Sequence, residues 1–168
     1  IDNSSTLNDK MLGCAAIILA GLSFSGQIKY LDFGLNLLKK IINSSFELDG
    51  FPKSRSPRQL LFYIKYLIFI RELLKDSQNE IPENLNEIIY YLGKCYAFFF
   101  KENDKKFLFN GNQEINNRDF QNFLKIHDYK FQNKLNNLGG YAILSHKKNC
   151  LAVDVGSSPE KKNSSEYQ

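Results

Sequence analysis

From Pro57 to Asp76 the chain carries apolar side chains nearly all round a helix, from Leu60 through Leu74. Such a helix has no single wet face, so neighbours must cover it on several sides. The chain therefore has to build layers of packed helices, and its other segments fit. Residues 7–22 read as a nearly all-apolar helix opened by Asn8-Asp9. Residues 27–43 are amphipathic: Ile28, Leu31, Leu35, Leu38 and Ile42 share one face at three-and-four spacing. Residues 83–100, started by Pro82, place Leu85, Ile88, Ile89, Leu92, Tyr96 and Phe99 in a core stripe. The first hundred residues thus read as helical hairpins of a bundle, solenoid or toroid. Tyr90-Tyr91 and Phe98-Phe99-Phe100 read as core and groove wall.

The polar loop before the apolar helix is dense in local signals. Asp49-Gly50 marks a sharp turn. Ser56 reads as an N-cap, Pro57 as the first helical residue, and Gln59 as the residue that closes a capping box. Arg55 stands just before the cap, where it is expected to face solvent at the rim of a cleft. A guanidinium beside the positive end of a helix suits a carboxylate or sulfate.

The character changes after residue 101. Lys106-Phe107-Leu108-Phe109 followed by Asn110-Gly111 reads as a strand and a tight turn, and Arg118 to Ile126 as a short helix. Tyr141 to Ser145 and Cys150 to Val155 read as two strands, with His146-Lys147-Lys148-Asn149 as their turn. Domains are expected at 1–105 (helical) and 106–168 (linker and β-rich). Strands that arrive so late would leave open edges, so the chain is expected to be a fragment of a larger protein.

Composition excludes several classes. An apolar fraction of 43% suits a globular protein. The net charge of +4 is spread along every segment, which argues against nucleic acid as a partner. The apolar run from Gly13 to Phe24 is too short to span a bilayer, so no membrane insertion is expected. Cys14, Cys95 and Cys150 are far apart and odd in number, without metal-type spacing; neither a disulfide framework nor a metal site is expected. His127 and His146 match no ligand motif. Sequons at Asn3, Asn43 and Asn163 are what chance supplies in a chain rich in Asn and Ser. No phosphate loop, dinucleotide fingerprint, zinc-helix motif or nucleophile elbow occurs, and no cofactor is implied.

Taken in order, the loop motifs resemble one family. Asp49-Gly50 with Ser54-Arg55-Ser56-Pro57, then Phe109-Asn110-Gly111, Gly140-Tyr141 and Asp154-Val155-Gly156 are similar to those of heparinase II/III-like proteins. The resemblance covers about residues 7 to 160. It implies a mainly α architecture: the end of an (α/α) toroid followed by the first strands of an antiparallel β-sandwich. It also implies polysaccharide lyase chemistry on acidic polysaccharides or oligosaccharides in a bacterial periplasm or cell envelope.

A lyase of this kind removes the C5 proton of a uronate and expels the 4-linked sugar. The carboxylate must be neutralised as charge builds on it, one group takes the proton, and another protonates the leaving oxygen. Arg55 is the first candidate for the substrate carboxylate or a sulfate. Asn110 and Tyr63 are further candidates, and no residue stands out as the base. The chain departs from the family's pattern at three points. Phe51 replaces the second Gly after Asp49, Pro52 stands where many relatives carry His, and Gln59-Leu60 stand where Tyr-His often follows Ser-Pro. These departures support an alternative, a non-catalytic acidic-glycan-binding relative. A third reading is a helical-repeat interaction protein with a β appendage.

Overall fold

The computed structural model describes residues 6–24, 26, 28–100, 118–146 and 149–158. Among them run five helices, α1 (Leu7–Ser23), α2 (Ile28–Ser45), α3 (Pro57–Asp76), α4 (Glu83–Phe100) and α5 (Arg118–Ile126). Three strands follow, β1 (Asn137–Leu138), β2 (Tyr141–His146) and β3 (Asn149–Asp154). The protein is mainly helical, with a small antiparallel sheet of order β1-β2-β3. No helix among the described residues is long and apolar enough to cross a membrane. The strand and turn expected at 106–111, with Asn110 and Gly111, lie outside the described residues, as do Lys147 and Lys148.

The chain divides into two compact units, Ile1–Ser45 with Phe62–Ile89, and Phe46–Leu61 with Tyr90–Gln168. In the first, α1 and α2 pack as an antiparallel pair. The helices approach closely because two glycines lie between them. A Cβ on Gly21 would stand 2.5 Å from the Leu31 backbone nitrogen, and one on Gly34 would stand 2.6 Å from Ile18 Cγ1. The Cys14 thiol donates to the Gly34 carbonyl at 3.4 Å.

That close approach shifts the expected stripe of α2, in which Leu38 and Ile42 are buried and Leu31 and Leu35 half-buried. The buried face is Gly34, Leu37, Leu38, Ile41, Ile42 and Ser45, whereas Ile28 is 68% exposed. The contact follows the residue without a side chain rather than the first apolar one. Helix α1 starts at Leu7 as expected, but the residue that opens it is Thr6 rather than Asn8-Asp9. Thr6 caps it, accepting from the Asp9 N–H and donating its hydroxyl to the Asp9 carboxylate.

Helix α3 is buried as its composition demands. Leu60, Tyr63, Ile64, Leu67, Ile68, Ile70 and Leu74 are fully enclosed, each worth roughly 1.5–3 kcal/mol of burial. Near its end Arg71 donates to the Asn86 side chain at the start of α4 (2.7 Å), as in a helical hairpin. The expected stripe of α4, from Leu85 to Phe99, is buried throughout.

In the second unit β2 and β3 pair in full register, from Tyr141 opposite Asp154 to His146 opposite Asn149. His146 and Asn149 therefore belong to the strands rather than to the turn. Along β3 alternate residues face out: Leu151 is 56% exposed, opposite Leu144 at 59%. Among the described residues β1 and β3 are the two edge strands of this sheet. The short strand β1, which carries no pattern of its own, joins β2 through Asn137 and Leu138.

Candidate functional site

The residues that carry the loop motifs lie far apart in sequence, and the second unit gathers most of them round one side chain. The segment from Phe46 to Pro52 folds back on itself. Glu47 N–H donates to the Phe51 carbonyl (2.8 Å), Gly50 N–H to the Glu47 carbonyl (2.9 Å), and Phe46 bridges to Pro52. Asp49 holds the turn from inside: its Oδ1 accepts from the Phe51 N–H at 3.0 Å. Its Oδ2 accepts from the Gly139 N–H at 2.9 Å, reaching across 90 residues. Gly50 has φ +83° and packs on Tyr91, whose backbone carbons would lie 3.2 and 3.3 Å from any added Cβ.

Helix α3 begins where the sequence signals place it. The Ser56 hydroxyl accepts from the Gln59 N–H at 3.4 Å, and the Ser56 carbonyl from the Leu60 N–H at 3.1 Å. The capping box is not closed by Gln59. Its side chain is buried, and Oε1 makes no hydrogen bond among the described residues. Ser54 takes that part instead, its hydroxyl accepting from the Ser56 N–H at 3.4 Å. A serine two residues upstream reaches that N–H without a long side chain having to fold back through a packed interior.

Arg55 is the centre of the cluster. It was expected in solvent, but its side chain is only 12% exposed. Its guanidinium donates to the carbonyls of Gly139 (3.0 Å) and Gly140 (3.2 Å) and forms an ion pair with Asp154. Its backbone sits in the left-handed region at φ +57°, which costs of order 1–3 kcal/mol for a residue with a side chain. The Tyr141 hydroxyl donates to the Arg55 carbonyl and offsets part of that cost. Asp154 also accepts from the Gly156 N–H at 3.1 Å. Gly140 and Gly156 flank the guanidinium so closely that a Cβ on either would meet it. The guanidinium expected at a solvent-facing rim for a substrate carboxylate or sulfate is instead paired with this chain's own Asp154.

Beneath the cluster Phe51, Phe99 and Tyr141 form an aromatic triad, with ring centroids 5.0 to 5.6 Å apart. Phe51 is 1% exposed. It and Gly139 belong to the site without being among the sequence's candidate site residues. The signal available was the double glycine before Tyr141, since two successive positive-φ positions, Gly139 and Gly140, are what turn the chain between β1 and β2.

The remaining candidates lie elsewhere. Tyr63 belongs to the first unit and is fully buried beside the Phe62 ring (5.8 Å between centroids). Asn110 and Gly111 are outside the described residues. His127 lies against Phe123 at the end of α5, and His146 is exposed at the end of β2. The arrangement amounts to a charge-assisted knot between one loop and one hairpin. No protein-family model, curated protein or solved structure matches the chain.

Proposed function

We propose that the chain is part of a heparinase II/III-like polysaccharide lyase acting by β-elimination on uronate-containing acidic glycans in a bacterial periplasm or cell envelope. One observation carries the reading. Of the residues that make the resemblance, Asp49, Arg55, Gly140, Tyr141, Asp154 and Gly156 stand up to about a hundred positions apart yet serve a single cluster, while Phe109, Asn110 and Gly111 lie outside the described residues. Chance matches to separate turns have no reason to meet. The helix-then-strand order also supports an (α/α) toroid followed by the first strands of a β-sandwich. So does the sheet face that exposes Leu144, Leu151 and Val153, which a second layer of strands would cover.

In the reaction the C5 proton passes to a base and the C4–O bond breaks. The leaving oxygen gains a proton, and a C4–C5 double bond remains. The Arg55 knot anchors the loop that enters α3 and keeps its geometry fixed during that chemistry. The test is ultraviolet absorbance of unsaturated uronates when the full-length protein that contains this chain meets a panel of acidic polysaccharides. A steady rise with at least one glycan is the expected result; no rise with any of them removes the lyase reading.

Acidic-glycan binding without cleavage is the second reading. It is favoured by Pro52, Gln59 and Leu60, which stand where lyase members often carry ionisable groups. All three are buried, and none can take a proton at neutral pH. Calorimetric binding of an acidic glycan with flat absorbance is the outcome that selects it.

A further inference from the structure

We infer that a cavity beside α5 binds a uronate ring of an acidic oligosaccharide, an inference that rests on the glycan reading above. The cavity holds about 440 Å³ and lies within the second unit, in the range of small-ligand sites (roughly 300–1,000 Å³). Tyr96, Leu124 and Phe131 make an apolar floor, while Gln121, Lys125 and Gln132 stand at the polar rim.

The walls are held by backbone rather than by chance side-chain positions. At the end of α5 the Tyr129 N–H donates to the Leu124 carbonyl (2.8 Å) and the Asp128 N–H to the Lys125 carbonyl (3.2 Å). Asp128 takes the left-handed conformation at φ +56°. This cap turns the chain back so that residues 129–132 face α5 across the cavity. Phe131 is seated in a notch at Gly93, where any Cβ would meet its ring, and its ring lies 6.2 Å from that of Tyr96.

The chemistry of the lining selects the occupant. A sugar ring offers an apolar C–H face to aromatic walls and hydroxyls to amide side chains. The rim's charge favours an anion. Asp128 is already paired with Lys130 at 2.7 Å. Among the described lining residues Lys125 is the cation without a carboxylate partner. It lies in the last turn of α5, where a uronate carboxylate would complete its pairing.

The probes are a tetragalacturonate, a chondroitin-type tetrasaccharide and neutral cellotetraose, titrated calorimetrically into wild-type protein and into the Lys125→Gln and Gln132→Ala variants. Both altered residues are exposed, and an unchanged melting curve verifies the fold. The expected result is binding of at least one acidic probe, about tenfold weaker binding of cellotetraose, and about tenfold loss in each variant. If an acidic probe binds wild type and both variants equally, the cavity is not the site and the glycan reading stands. If cellotetraose binds as tightly as the acidic probes, the assignment of a uronate is overturned. If no acidic probe binds or is cleaved, the glycan reading fails and this inference falls with it.

Discussion

Tyr141 and Arg55 grip each other twice: the phenol donates to the Arg55 backbone carbonyl, while the guanidinium lies 4.7 Å from the centre of the same ring. One contact fixes the strained backbone of Arg55, and the other fixes its side chain. Tyr141→Phe keeps the ring and removes only the hydroxyl. We expect it to destabilise the protein by about 1 kcal/mol, the net worth of one hydrogen bond, read as a lower urea midpoint at unchanged slope. A loss below a few tenths would show that the carbonyl contact contributes nothing.

Arg55→Ala and Asp154→Asn separate the ion pair from the rest of the knot. The two side chains are 12% and 20% exposed, between the surface and fully buried cases. Breaking the pair should cost about 2–3 kcal/mol, discounted from the buried value for partial exposure to solvent. Arg55→Lys should recover little, since an ammonium cannot reach two carbonyls and a carboxylate in one plane. Thermal melts of the three variants and the wild type decide it. Equal melting temperatures would mean that the loop is held by Asp49 and Phe51 alone.

At Gly50 both conformation and space forbid a side chain. The φ of +83° strains any L-residue, and an added Cβ would meet Tyr91. Gly50→Ala should therefore cost about 2–4 kcal/mol, combining strain with overpacking. Gly26→Ala, at φ +82° but with nothing among the described residues near its would-be Cβ, is the control. It should cost only the conformational part, about 1 kcal/mol, and equal losses at the two sites would refute the steric argument.

Removing the cap of α3 tests the helix start. Ser56→Ala loses the hydroxyl that accepts from Gln59 N–H and should destabilise by about 1 kcal/mol. Gln59→Leu should be neutral or stabilising, because the buried amide oxygen makes no bond among the described residues. If Gln59→Leu proves as costly as Ser56→Ala, the amide takes part in the cap after all.

Alkaline pH should weaken the fold through its buried thiols. Burial pushes Cys14 from 9.0 up to about 12. Cys95 is raised by burial first and by the nearby Asp49 carboxylate second. Because the folded pKa is the higher one, the stabilisation is complete below about pH 9. It is lost as pH climbs from there towards about 12. The melting temperature should therefore fall over that window, and less steeply in Cys14→Ala. Iodoacetamide on native protein at pH 8 should label the half-buried Cys150 and spare Cys14 and Cys95. Rapid labelling of Cys14 would show that α1 and α2 open readily.

The sequence by itself determined the helices. Period, caps and Pro57 act within a few residues, so the starts of α3, α4 and α5 follow from local chemistry alone. Local signals likewise placed Arg55 just before the start of α3, a position suited to an anion. Tertiary structure decided what those signals leave open. It selected Asp154, 99 residues away, as the carboxylate, and turned α2 onto its Gly34 face. It gave the second half of the α3 cap to Ser54, since Gln59 is enclosed. It also paired Asp49 with Gly139. Each of these choices depends on which surfaces pack together. Packing is set by shape and burial across the whole chain, whereas a cap or a turn is satisfied by its nearest neighbours.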